Sequence, residues 1–132
     1  MSAALDEARQ LYAAAGRDKT SFELLIESRR APHETIGFLA QQTCEKLIKA
    51  VLVIHRVKIE RTHDLDYLSE LAKAGGLPLP VPSDILRQLN PYAVALRYEG
   101  SEVVWVSEEQ AQMLVNAMYQ WATQEMKSAG DA

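Results

Sequence analysis

Apolar residues recur at helical spacing along almost the whole 132-residue chain. The clearest stripe falls on one side of a single helix at 100° per residue. Its members are Ile36, Ala40, Thr43, Leu47, Val51 and Ile54. The only credible strand, Val103 to Val106, cannot make a sheet alone. The pattern therefore predicts an all-α fold, an up-and-down bundle of four to five helices.

Helix-breaking residues divide this pattern into segments. The first stripe runs from Ala4 to Ile26 and keeps its phase through Gly16, so we expect one long helix with a weak point there. Pro32 then precedes a second helix, predicted from about Glu34 to Val57.

Capping signals mark the shorter elements that follow. Thr62 is expected to cap a third helix, which the pair Gly75-Gly76 ends. Three prolines in residues 77–82 exclude a helix there and favour an extended segment. Ser83 and Ser107 are expected to cap the fourth helix and the last one.

Composition and charge exclude several functional classes. The net charge of −4 does not attract the whole molecule to nucleic acid, so any RNA or nucleotide contact needs a local basic patch. A single cysteine, Cys44, and three scattered histidines predict no disulfide and no bound metal. The chain shows no cofactor motif, signal segment or membrane span, so we expect a cytoplasmic protein without a cofactor.

The second predicted helix carries charges where a simple bundle has apolar residues. Glu45 has apolar residues seven positions before and after it, and Lys49 follows in the favourable i,i+4 order for an ion pair. Gln42 and Lys46 lie at the edge of the same face. Either the pair is solvated, or this face packs on another element or subunit and leaves matched, partly buried charges. The second interpretation marks an interface or an anion site, for which lysines at i,i+3 are suitable.

Three later residues are further candidates. His63 either caps or bonds a neighbouring loop, or it faces Lys46 and Lys49 as a site histidine. Asp64 suits the positive end of the helix dipole in the first turn of the third helix. Arg97 is either a cation at a helix C-terminus or a phosphate contact that joins the lysines.

Three pieces of the sequence together resemble the HEPN domain (higher eukaryotes and prokaryotes nucleotide-binding). They are the helix Gln-x-x-Glu-Lys-x-x-Lys-Ala at 42–50, the tripeptide His63-Asp64-Leu65 and the pair Arg97-Tyr98. Their order and gaps follow the family pattern from about Ala8 to Met126. The resemblance implies a single HEPN-like helical domain over residues 1–132, with an ordered core at about 8–126.

The resemblance also implies a function. HEPN domains are usually homodimers, and many act with a minimal nucleotidyltransferase in a two-component, toxin–antitoxin-like system. Others bind nucleotides. By this resemblance the chain is a non-catalytic nucleotide- or RNA-phosphate-binding protein with a nucleotidyltransferase partner. Its candidate ligand-binding residues are Gln42, Glu45, Lys46, Lys49, His63, Asp64 and Arg97.

Two alternatives remain open at this stage. One branch of the family comprises metal-independent ribonucleases, which use an Arg followed a few residues later by a His. Six residues separate Arg56 from His63, but this pair precedes the third helix rather than lying near the last ones. In that role the His is a general acid/base and the Arg stabilises charge on the phosphate. The other alternative is a purely structural dimeric adaptor, in which the charged face of the second helix is the dimer seam.

Overall fold

A computed structural model describes residues 2–95 and 106–130 of the chain, and all the regular structure within them is helical. The helices are α1 (Ala3–Ser28), α2 (His33–Ile54), α3 (Leu65–Ala74), α4 (Ser83–Leu86) with a 3-10 turn (Arg87–Leu89), α5 (Tyr92–Ala95) and α6 (Glu108–Gly130). The predicted all-α class is confirmed. Arg97, Tyr98 and most of the candidate strand at 103–106 lie outside the described residues.

The central helix of the bundle is α2, which packs against α1, α3, α5 and α6. Its predicted core stripe is buried except for Ile54, which is half-buried. Ile48 and Leu52, on the other face, are also fully buried. The second face of α2 therefore packs on other elements of the same chain, as one of the two interpretations expected.

The long first helix is continuous through Gly16, as predicted. Ala8, Ala15 and Phe22 are seven residues apart and buried. This spacing keeps the same side of α1 on α2 along the whole contact. The apolar phase therefore outweighs the low helix propensity of one glycine.

The second helix ends at Ile54, three residues before the predicted end. Arg56 adopts a left-handed conformation with φ of 60°. Its N–H donates to the carbonyl of Val53, and the N–H of Val57 donates to the carbonyl of Leu52, at 2.9 and 2.8 Å. These two bonds form a Schellman motif. Arginine occupies the position where glycine is usual, so the sequence contained no stop signal.

The cap of α3 also differs from the expectation. Asp64, not Thr62, is the N-cap, since its carboxylate accepts from the N–H of Asp66 at 3.0 Å. The Thr62 hydroxyl instead accepts from the N–H of Asp64 at 3.1 Å. Both residues are good caps, and spacing alone does not choose between them.

The remaining elements keep the predicted order, and one of their two predicted caps is wrong. Gly76, with φ of 80°, turns the chain after α3. Residues 77–82 carry no helix, and the fourth helical segment reaches Leu89 through the 3-10 turn. The prediction that Ser83 caps it is wrong. Ser83 is its first helical residue, the N-cap is Pro82 without a side-chain cap, and the Ser83 hydroxyl instead donates to the Glu70 carboxylate. The Ser107 hydroxyl accepts from the N–H of Gln110 at 3.0 Å and so caps α6.

The first and last helices are antiparallel neighbours. The rings of Tyr12 and Tyr119 stack with centroids 5.5 Å apart, and the Tyr12 hydroxyl lies 2.6 Å from that of Thr123. Leu5 and Gly130, near the opposite ends of their helices, line one surface groove. None of the described helices combines the length and apolar character needed to cross a membrane.

A close approach between α2 and α5 depends on a glycine. A Cβ atom added at Gly37 would lie only 2.1 Å from Cδ1 of Tyr92. That ring is fully buried. The Tyr92 hydroxyl accepts from the N–H of Val106 at 2.8 Å and lies 2.9 Å from Nε2 of His33. The ring therefore has little freedom to move away.

We expect Gly37→Ala to lower the free energy of unfolding by about 3 kcal/mol, because the methyl group overlaps a ring that is held in place. Gly16→Ala is the matched control, since a Cβ there meets nothing within 4 Å. It should stabilise the protein by about 0.5–1 kcal/mol through helix propensity. Urea unfolding followed by circular dichroism measures the free energy of unfolding of both variants. Equal changes in that free energy would contradict the packing argument.

Candidate functional site around Glu45

The candidate site is built around one buried carboxylate, that of Glu45 on α2, which is 4% exposed. Oε1 accepts from Nε2 of Gln41 and lies 2.9 Å from Nδ1 of His63. Oε2 accepts from Nζ of Lys49 at 3.0 Å. Both oxygens of the carboxylate are therefore occupied by protein groups.

These contacts keep Glu45 ionised. Burial alone raises the pKa of its carboxyl group, but the hydrogen bonds from Gln41, Lys49 and His63 outweigh burial and lower that pKa. An ionised carboxylate is an acceptor only, so Nδ1 of His63 carries the hydrogen in this contact. The imidazole is thus held in one orientation.

His63 is the exposed end of this arrangement. Its side chain is 69% exposed although its partner carboxylate is buried. With Nδ1 occupied, Nε2 is the ring nitrogen that has no partner among the described residues. The site therefore presents an imidazole whose second nitrogen is accessible to a ligand.

Gln41 connects the carboxylate to the backbone of the α2–α3 loop. The same Nε2 that donates to Glu45 also donates to the carbonyl oxygen of His63 at 3.1 Å. Its Oε1 accepts from Nε2 of Gln42 at 2.7 Å. Gln41 is fully buried, so this network fixes the loop against α2 at the point where His63 lies.

Lys46 belongs to a second ion pair, with α1. Its Nζ lies 2.6 Å from Oδ2 of Asp18, and both side chains are partly exposed. Lys49, which pairs with Glu45, is more buried, with 15% of its side chain exposed. The two lysines on adjacent turns of α2 are therefore neutralised by different carboxylates.

Asp64 stabilises the start of α3. Besides capping α3, its Oδ1 accepts from Nδ2 of Asn90 at 2.8 Å. The Oδ1 of Asn90 in turn accepts from the N–H of Leu65 at 2.9 Å. Asn90 thus holds the first turn of α3 from the segment that precedes α5.

The structure brings together most of the candidate residues. Lys49 and His63 each contact Glu45, and Gln42 reaches Glu45 through Gln41. Arg97 lies outside the described residues. Arg56 is exposed at the end of α2, and its side chain makes no hydrogen bond or ion pair within the described part of the chain.

Three residues of the network were not among the sequence-derived candidates. Gln41 directly precedes the quoted motif, and its i,i+4 spacing to Glu45 could have identified it. Asp18 and Asn90 lie 28 and 26 residues from their partners, Lys46 and Asp64. No spacing rule connects residues that far apart, so only the fold could reveal these two contacts.

Cys44, next to Glu45, takes no part in the site. Burial raises the pKa of its thiol to about 12. The thiolate form is therefore scarce at neutral pH, and Cys44 acts as a small apolar residue of the core.

Comparisons with known proteins identify the family. The family model of the HEPN domain matches residues 8–121. The chain belongs to the HEPN domain family. Its fold is similar to the crystal structure of ST0689, an archaeal HEPN homologue, with a TM-score of 0.57 and 19% sequence identity over 93% of this chain and 98% of that chain. No curated protein matches the chain in sequence.

In this HEPN domain the two described pieces of the motif make one network. The helix at 42–50 supplies Glu45 and Lys49, and the tripeptide at 63–65 supplies His63 and the cap Asp64. Every buried side-chain nitrogen or oxygen in the described residues has a hydrogen-bond partner. The motif therefore encodes a satisfied polar cluster inside the bundle.

We expect Glu45→Gln to lower the free energy of unfolding at neutral pH by about 2–4 kcal/mol, because it removes a buried charge that three donors match. The folded pKa of Glu45 lies below its unfolded value, so its stabilisation is complete above that unfolded value, about 4.3. It is lost as the pH falls through the folded pKa.

The difference in the free energy of unfolding between wild type and Glu45→Gln should therefore become smaller below about pH 4. Urea titrations at several pH values measure it. Glu60→Gln is the matched control, because Glu60 is exposed and has no ion pair within the described residues. A difference that stays constant with pH would contradict the role of an ionised Glu45.

Proposed function

We propose that this HEPN-domain protein is a homodimer that binds nucleotide or RNA phosphate without catalysis. It acts with a nucleotidyltransferase partner in a two-component, toxin–antitoxin-like system. Family membership supports the partner and the class of ligand. The observation that supports the binding site is the buried Glu45 network, which holds Lys49 and orients an exposed His63.

The helical spacing of α2 places its candidate residues on one side of the helix. Gln42, Glu45, Lys46 and Lys49 lie within an arc of about 100° on the helix. Lys46 and His63 are partly or largely exposed, so their nitrogen atoms are accessible to an anion. Glu45 orients His63 and does not itself contact the anion. Asp64 supports the site through its cap, which holds the loop that carries His63.

A phosphate must compete with Asp18 for Lys46. Such partly exposed ion pairs contribute at most about 1 kcal/mol. A phosphate with two or three charge-assisted hydrogen bonds therefore displaces the Asp18 carboxylate readily. Lys49 keeps its carboxylate, because leaving Glu45 buried and unmatched costs more. Lys46 and His63 are thus the principal phosphate contacts, with Arg97 as an expected third.

We expect Lys46→Ala to weaken binding of AMP and of a single-stranded RNA oligonucleotide about tenfold, because a charge-assisted hydrogen bond to phosphate is lost. Asp18→Asn should instead strengthen binding about two- to fivefold, because it removes the competing carboxylate. Calorimetric titration at fixed salt measures both.

Lys58→Ala is the matched control for the loss of one positive charge, since Lys58 is exposed and has no ion pair in the described part of the chain. If all three variants bind as the wild type does, or if the wild type does not bind, the phosphate site is wrong. Thermal unfolding of each variant separates a loss of affinity from a loss of fold.

A second candidate function is a metal-independent ribonuclease, which the contact between Glu45 and His63 favours. A carboxylate that orients an imidazole is a common general acid/base arrangement. Arg56 is the expected charge-stabilising partner. This activity predicts RNA cleavage in EDTA that His63→Ala abolishes and His33→Ala does not. RNA left intact by the wild type would exclude it and leave the binding role.

A further inference from the structure

The outward side of α6 lacks charge over four turns. Residues 110–124 include neither an acidic nor a basic side chain. The side that faces the core carries Ala111, Leu114, Val115, Met118 and Ala122. The exposed side chains around the opposite side are Gln112, Met113, Asn116, Gln120, Thr123 and Gln124, which we name the α6 amide face.

This composition is unusual for a helix surface that meets only water. Solvated helix faces normally carry charged residues. Met113 is 66% exposed, one of the most exposed large apolar side chains among the described residues. Depletion of charge together with exposed methionine is typical of the centre of a protein–protein interface.

One charged residue lies beyond each end of the α6 amide face. Glu109 precedes it and Lys127 follows it, and both are exposed. Neither has an ion pair among residues 2–95 and 106–130. They are equally distant from Met118, one on each side.

A second copy of the same face fits this arrangement. In an antiparallel contact about a two-fold axis at the level of Met118, a residue a given number of positions before Met118 in one copy meets the residue the same number of positions after Met118 in the other copy. The resulting pairs are Glu109 with Lys127, Gln112 with Gln124, Met113 with Thr123, and Asn116 with Gln120.

The pairing is chemically self-complementary. A side-chain amide is both donor and acceptor, so a row of amides bonds an identical row. A row of one charge would repel its own copy. The acidic and basic ends exchange places under the two-fold axis, so each end forms an attractive pair. Isologous contacts require such a surface, because the same patch must serve both partners.

We propose that the α6 amide face is the contact between two copies of this chain, related by a two-fold axis at the level of Met118. This inference rests on the homodimer of the proposed function and names its surface. It does not depend on the phosphate site at Glu45, which lies on other helices.

Charge reversal tests the arrangement. Glu109→Lys and Lys127→Glu each convert two attractive end pairs into like-charge pairs, and each should raise the dimer dissociation constant about tenfold or more. The double variant Glu109→Lys/Lys127→Glu restores opposite charges at both ends and should return the constant near the wild-type value. Sedimentation equilibrium at low salt measures all four proteins.

Lys73→Glu on α3 is the matched control, because it changes the net charge equally at an exposed position outside the α6 amide face. A dimer that neither single reversal weakens, or that the double variant does not restore, would overturn the inference but leave the homodimer. A monomeric wild type would overturn both. Titration of the same variants with AMP should match the wild type, so failure of this surface is distinguishable from failure of the phosphate site.

Discussion

The arrangement of this bundle depends on keeping the Glu45 carboxylate charged inside it. An unmatched buried charge costs several kcal/mol, so the fold must supply donors for both of its oxygens. One donor comes from the preceding turn of α2, one from the following turn, and one from the α2–α3 loop. The loop donor is the only one that is distant in sequence, and it determines where α3 begins.

Hydrogen bonds connect the α2–α3 loop, which is held by Glu45 and Gln41, to the elements that follow it. The backbone of His63 is held by Gln41, and the residue after it caps α3 and bonds Asn90. Asn90 lies two residues before Tyr92. The Tyr92 ring occupies the space that a side chain at position 37 would fill, which is why Gly37 is needed there. A chain of polar contacts thus connects the middle of α2 to the segment that precedes α5. Apolar packing fills the core, whereas this chain selects the positions of the short helices around it.

Local patterns in the sequence predicted the parts of the fold that depend on local physics. The stripe on α2, the continuous α1 and the cap at Ser107 follow from periodicity and side-chain chemistry. The end of α2 at Arg56 was not predictable, because a left-handed arginine leaves no residue-type signal. For the candidate site, the i,i+4 pair on α2 was visible in the sequence. The contacts of Lys46 with Asp18 and of Asn90 with Asp64 depend on tertiary packing, which no single-helix pattern contains.

The position of the charged face also bears on how two copies can associate. Glu45 is 4% exposed within one chain, and the residues around it pack on α1, α3 and α6 of the same chain. A dimer seam on that face would have to displace these contacts and expose a carboxylate that they match. The outward side of α6 has no such cost, because it points away from α2 and its side chains are already solvated. A dimer formed there leaves His63 of each copy accessible, so binding of a ligand and association of the chain do not compete for the same surface.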